Sequence, residues 1–377
     1  MTRSEAWHQA ERVLAVRLDA LGDVLMTGPA LRALKKSRPG RRITLLTSAA
    51  GAEGAALLPE VEEVIVYNAP WMKATAIQEP SGLDWEMING LQRRFDAAVI
   101  FTVYSQSPLP AALFCCLAEI PLRLAHCREN PYQLLTDWVP ETEPQLQIRH
   151  EVTRQLDLVA AIGCQELDHR LSIQIPKASR QHALGHLQKA GLDPYLPWVV
   201  VHPGASAPSR RYPPAQFAQA ARRLVLDVDM QVLFTGSPAE SGLTENIQNA
   251  MGVPSFSLVG KLDVSELAAL IAMAPLLVAN NTGPVHIAAA VGTPVIVLYA
   301  LTNPQHTPWA VVHRVLNHDV SCKYCYTSIC PEIHHNCLAL VPPESIVEAV
   351  WSILVEAGRL GHDASSSTTV TPALMSE

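Results

Sequence analysis

The sequence lacks several features that would each have pointed to a function class. No apolar run reaches the roughly 20 residues that span a bilayer; the longest, around Leu267 to Ala279, is broken by Pro275 and followed by Asn280 and Asn281. Positive charge is not in excess, since 28 lysines and arginines face 35 acids for a formal net charge of -7, so no nucleic-acid partner is expected. The opening "MTRSEAWHQAERVLAV" lacks the apolar core and cleavage site of a secretory leader, and a cytoplasmic protein is expected. In that reducing compartment the eight cysteines are read as thiols or metal ligands rather than disulfides.

The composition is that of an ordinary globular protein, 49% hydrophobic and 17% charged, and 377 residues suffice for two cores. Short apolar runs alternate with helical patterns: "VLAV" at 13–16, "ITLLT" at 43–47, "VEEVIVY" at 61–67 and "AAVIFTV" at 97–103. This is the βαβ rhythm of a parallel sheet. After an irregular stretch from Pro131 to about Leu187 it restarts with "WVVV" at 198–201, "QVLF" at 231–234, "FSLV" at 256–259, "LLVA" at 276–279 and "PVIVLY" at 294–299. The expected fold class is therefore α/β, with two Rossmann-like domains, 1–187 and 188–342. A final helix at 343–360 is free to return to the first domain, and a Ser/Thr-rich tail at 361–377 is expected to be disordered. Doubly wound halves bind ligands at the carboxyl ends of their strands.

The first strand-to-helix turn is short of glycine where a nucleotide-binding protein keeps several. "RLDALGDVLMTGPALRALKK" carries Gly22 with two acids, Asp19 and Asp23. Alone, Asp23 reads as a first-turn or capping acid. In the second half, "NNTGPVHIAAAVGTPVIVLYA" opens a helix near Gly283–Pro284, where outward N–H groups and the helix dipole favour an anion. An ordinary capped helix with Thr282 as cap is the alternative. "VHPGASAPSRRYP" adds Gly204, Ser206, Ser209 and the pair Arg210–Arg211 at the same sheet edge, so two loops converge on phosphate. The pair Asp227 and Asp229 falls at the opposite edge.

Near the C-terminus, Cys322, Cys325, Cys330 and Cys337 are spaced C-x2-C-x4-C-x6-C. Four soft ligands suit a structural Zn²⁺ or iron, and reduced thiols are the other reading. Cys115, Cys116, Cys127 and Cys164 are read as apolar fillers. The loop from Asn68 to Gly90 carries Trp71 and Lys73, candidates for contact with an acceptor.

Four segments in order, "LGDVLMTGPALRAL", "HPGASAPSRRYP", "TGSPAE" and "NNTGPVHIAAAVGTP", resemble the lipopolysaccharide heptosyltransferases, glycosyltransferase family 9. The resemblance runs from about residue 13 to about 355. It implies a GT-B architecture, with acceptor in the first domain and nucleotide-sugar in the second, and an inverting transfer without catalytic metal from an ADP-heptose donor. It implies a glycan or lipid-linked glycan acceptor, reached at the inner face of the cytoplasmic membrane with peripheral contact there. By motif, Asp23 takes the place of the base, with Gly22 beside it on the acceptor side, and Arg210 takes that of a phosphate-binding lysine. Glu240 would hold ribose, Thr282 and Gly283 the diphosphate, with His286 one turn on and Leu262 near adenine. Asn281 stands where the family usually has aspartate, and Arg210 presents a planar fork instead of a point charge. Another nucleotide-sugar, a GT-B epimerase, or a sugar-nucleotide binder without catalysis remain as alternatives.

Overall fold

The computed structural model describes residues 2–72 and 83–357. The first half holds six parallel strands, β1 (Arg12–Arg17), β2 (Arg42–Thr47), β3 (Glu63–Val66), β4 (Ala97–Ile100), β5 (Leu122–Cys127) and β6 (Asp137–Pro140). Their order is β3-β2-β1-β4-β5-β6. The second half repeats the plan with β7 (Trp198–His202), β8 (Gln231–Phe234), β9 (Phe256–Ser257), β10 (Leu277–Asn280), β11 (Val295–Leu298) and β12 (His313–Leu316), ordered β12-β11-β10-β7-β8-β9. β4, β7, β10 and β11 are buried along their whole length, which is why they read as unbroken apolar runs rather than alternating ones.

Chain order reverses between β1 and β4 and again between β7 and β10. These are the two switch points where the loops diverge and leave a crevice. The helix leaving β1, Leu21–Lys36, packs on the helix leaving β10, Gly283–Val291. One apolar core runs through both: Val24, Leu25 and Leu31 share it with Val285, Ile287 and Ala288. Gly22 makes the close approach possible, because a Cβ there would stand 2.5 Å from His286 Cδ2.

The stretch read as irregular contains β6 and two helices, Glu151–Ala160 and Lys177–Ala190. The latter packs on the helix Val264–Met273, with Ser179 bonded to Ser265 at 2.7 Å and His182 to Glu266 at 3.0 Å. A boundary at 187 cuts through this helix, and the second half begins before Lys177. The terminal helix Pro343–Glu356 packs on the helix Pro214–Leu226 through Ile346, Val350 and Ile353, and so builds the second core. The tail expected at 361–377 lies outside the described residues. No helix among the described residues is long and apolar enough to cross a membrane.

Candidate active site

β1 delivers Arg17 to the floor of the crevice with no exposed surface. Three acids surround it: Asp19 Oδ2 at 2.9 Å from Nε, Asp23 Oδ1 at 3.2 Å from Nη2, and Glu151 Oε1 at 2.8 Å from Nη1. Asp23 is the third residue of its helix, where the nearby backbone of Ala20, the N-cap, favours its charged form. Burial raises Asp23 above the ordinary carboxylate range, and Arg17 only partly offsets this. A buried carboxylate of raised basicity that still opens to a cavity is suited to accept a proton. Asp19 pairs with Arg17 and accepts from Gln106 Nε2 at 2.6 Å; burial lifts it to about 6. Glu151 goes the other way. Burial pushes it up, but Arg17, Arg154 and His306 prevail and hold it at about 2.

Two cavities meet here. The larger, about 580 Å³, lies at the first switch point; Ser105, Gln106, Asn303, Tyr326 and Ser328 give it a neutral, hydrogen-bonding wall. The smaller, about 240 Å³, lies at the second switch point against the N-terminus of the helix Gly283–Val291. Asp23, Arg210 and His306 border both.

Around the smaller cavity each loop is fastened from behind. Asn280 donates to Pro203 O at 2.7 Å and accepts from Tyr212 N at 3.1 Å, tying the β10 turn to the β7 loop. Arg211 donates to Ala205 O at 2.8 Å. Its neighbour Arg210 makes no side-chain hydrogen bond or ion pair among the described residues, and its charge reaches Asp23, His286 and His306. A free guanidinium beside a helix N-terminus is a site for an anion.

Residues 87–335 match glycosyltransferase family 9 (heptosyltransferase). The chain belongs to that family. Lipopolysaccharide heptosyltransferase 1 of Pseudomonas aeruginosa is 29% identical over 85% of this chain and 87% of its own length. The glycosyl transferase family 9 structure from Veillonella parvula superposes with a TM-score of 0.76 at 22% identity, covering 92% of this chain and 98% of that one. The E. coli ADP-heptose lps heptosyltransferase II structure gives 0.70 at 22% identity, over 92% and 99%. The two solved structures carry the fold: two parallel α/β halves facing across a cleft, the GT-B arrangement.

Within this glycosyltransferase, most residues singled out in the sequence gather at the smaller cavity: Gly204, Ser206, Arg210 and Glu240, then Asn281, Thr282, Gly283 and His286. Glu240 accepts from Ser237 N at 2.7 Å, and its carboxylate lies against Gly204, where an added Cβ would push it aside. Thr282 is the N-cap of its helix but makes no side-chain cap bond; with Pro284 lacking an N–H and Val285 N donating to Thr282 O at 3.0 Å, the N–H of Gly283 is the one left to the cavity. Burial above all, with His306, His150 and Arg210, lowers His286 to about 3.

The remaining residues singled out in the sequence lie as follows. Gly22, assigned to the acceptor side, borders the smaller cavity, because the two first-turn helices pack face to face. Leu262 packs against the core and lines neither cavity. Trp71 lines the larger cavity and packs on Tyr67 and Phe114, whereas Lys73 lies outside the described residues. The four C-terminal cysteines are free thiols, and no group of three or more His, Cys, Asp or Glu among the described residues is arranged to hold a metal. The structural Zn²⁺ or iron is not supported. Instead their loop serves the cleft: Thr327 and Ser328 carbonyls accept from Ser209 Oγ at 2.9 Å and Ser209 N at 3.0 Å, and Tyr326 lines the larger cavity. Burial and the neighbouring cysteines raise Cys337.

Arg17, Glu151, Gln106 and His306 were not found by reading the sequence. His306 had a positional signal, since it follows β11 at the carboxyl edge of the second sheet.

Proposed function

We propose that this glycosyltransferase moves a heptose-type sugar from an ADP-sugar to a lipopolysaccharide-core or other glycan acceptor, with inversion at the anomeric carbon. The observation that carries the reading is the position of Asp23 and Arg210 on the seam of the two cavities. The donor diphosphate occupies the smaller cavity, against Arg210 and the N–H of Gly283. The acceptor enters the larger one, whose hydroxyl and amide side chains match a sugar. Asp23 takes the acceptor proton as the oxygen attacks the face opposite the diphosphate. Arg210 and the helix dipole stabilise the charge that builds on the leaving group, so the reading assigns that task to the chain without a catalytic metal. The acceptor is met in the cytoplasm, at the inner face of the membrane, where nucleotide-sugars are available. The heptosyltransferase activities of the P. aeruginosa and E. coli relatives support heptose and ADP-heptose.

Asn281 favours a second reading, a different nucleotide-sugar. It is 2% exposed, borders the smaller cavity and leaves that wall without the family's usual charge. Release of ADP from ADP-heptose in the presence of lipopolysaccharide lacking heptose decides between them. Turnover with ADP-heptose at least tenfold above that with UDP- or GDP-sugars is expected. Turnover with another nucleotide-sugar alone would replace the donor, and tight binding with no turnover of any would make the chain a binder.

A further inference from the structure

The loop after β11 leaves the second half and docks on the first. Gln305 Nε2 donates to Glu143, the His150 ring bonds Thr307 O at 2.9 Å and stacks on Trp309 at 4.3 Å between centroids, and Trp309 Nε1 donates to His169 O at 2.8 Å. Between these anchors the loop inserts His306 into the crevice, 8% exposed. Its Nε2 lies 4.0 Å from Asp23 Oδ1 and 4.0 Å from Glu151 Oε2.

Neither His306 Nε2 nor Glu151 Oε2 has a hydrogen-bond partner among the described residues. That is costly for buried polar atoms and unusual in a settled core. Glu151 is otherwise fully held: its Oε1 accepts from Arg17 at 2.8 Å and from Gln155 at 2.6 Å. The free oxygen and the free nitrogen face each other across the route from Asp23.

We propose that His306 takes the proton from Asp23 in each catalytic cycle and that Glu151 holds the imidazolium so formed. This rests on Asp23 being the base. In the transfer the acceptor oxygen bonds to the anomeric carbon and gives its proton to Asp23, while the carbon–oxygen bond to phosphate breaks and its electron pair leaves with the diphosphate. Asp23 then passes the proton to His306 Nε2 and is a carboxylate again; the imidazolium gives the proton to water when the products leave. A movement of about 1 Å brings the two atoms within hydrogen-bond range.

The electrostatics of the pocket accord with that order. Burial holds the ring neutral, lowered to about 4, with Glu151 and Asp19 opposing and Arg210 and Arg17 assisting. Asp23 is the remaining acid facing the ring, and His150 and His286 are themselves held neutral, at about 4 and about 3. A donor diphosphate on Arg210 cancels one of the two positive charges that assist burial in lowering the ring, so the ring becomes more basic with the diphosphate bound.

The test uses the full chain with ADP-heptose and lipopolysaccharide lacking heptose. His306→Ala and His306→Gln should each lower kcat by about 10²-fold, with ADP binding retained as proof of folding. Imidazoles added to His306→Ala should restore turnover at a rate that rises with their basicity, which filling a hole would not produce. Glu151→Gln should lower kcat and gain nothing from imidazole. Near-normal turnover in His306→Gln, or rescue indifferent to basicity, overturns the relay. A slow Asp23→Asn beside a fast His306→Gln removes only the relay; a fast Asp23→Asn removes the base assignment and the relay with it.

Discussion

Arg17 Nη2 stands 3.2 Å from Asp23 Oδ1 at the floor of the cleft, so the proposed base has a permanent positive charge beside it that water does not reach. That guanidinium is itself balanced by Glu151, from a helix in a different part of the first half. Removing one member of such a buried pair leaves an uncompensated charge. Glu151→Ala should therefore destabilise the chain by about 3 kcal/mol in urea unfolding. Glu151 is depressed to about 2 when folded, so its contribution is complete above the unfolded value near 4.3 and lost as pH falls through about 2. The gap between wild type and variant should close over that interval, and a gap that persists unchanged at pH 2 would be inconsistent with this pairing.

Arg210 should act on the diphosphate and not on the nucleoside. Arg210→Ala is expected to weaken ADP by about tenfold or more, since charge-assisted contacts contribute roughly 1.5–3 kcal/mol, and to leave adenosine nearly unchanged. Calorimetric titration of both ligands checks this; equal losses would make the arginine structural. Arg210→Lys should recover much of the affinity, as a point charge satisfies phosphate without the fork.

Gly22→Ala probes the contact between the two first-turn helices. The new methyl would meet His286 Cδ2 at 2.5 Å, so His286 must shift or the helices must part. ADP affinity and thermal stability should both fall, by amounts larger than for Gly90→Ala, where nothing lies within 4 Å of the added carbon. Equal Tm values for the two variants would contradict the close packing.

How much of this was legible in the sequence depends on how far apart the partners lie. The buried strands announce themselves, because burial on both faces demands apolar residues throughout. β5 did not, since Arg123 and His126 interrupt "LRLAHC"; both are buried, with Arg123 donating to backbone carbonyls of Ile120, Gln133 and Leu134 and His126 bonded to Arg154 O. At the site, Gly204 to Arg210 and Asn281 to His286 could be read because each set occupies one loop at a sheet edge. Arg17 and Glu151 are 134 residues apart, and nothing local in either marks the pair. The cysteine spacing alone does not decide for a metal, because thiol chemistry is a property of residue type, whereas a metal site is a property of three-dimensional arrangement, and no such arrangement is found among the described residues.

Stability should fall in mild acid. His126, His150 and His306 are each lowered to about 4 and His286 to about 3 from 6.5, in every case first by burial. Between about pH 6.5 and 4 the unfolded chain binds these protons and the folded chain does not, so stability rises with pH across that window. Asp19, raised to about 6, and Asp23, also raised, work against the trend, but the four imidazoles outnumber them. Urea midpoints from pH 7 to pH 4.5 should decline steadily, with a shallower decline in His150→Gln. A midpoint independent of pH in this range would contradict the burial of neutral imidazoles.

The central claim is that Asp23, on the seam between the two cavities, removes the acceptor proton. Asp23→Asn keeps the shape of the side chain and abolishes its basicity, so it isolates that role. With ADP-heptose and lipopolysaccharide lacking heptose, kcat should drop by about 10²-fold or more while the dissociation constant for ADP changes little. Asp19→Asn, which alters a partner of Arg17 and Gln106, should cost far less rate. Near-normal turnover of a folded Asp23→Asn enzyme would contradict the account and leave that carboxylate as a helix-capping acid.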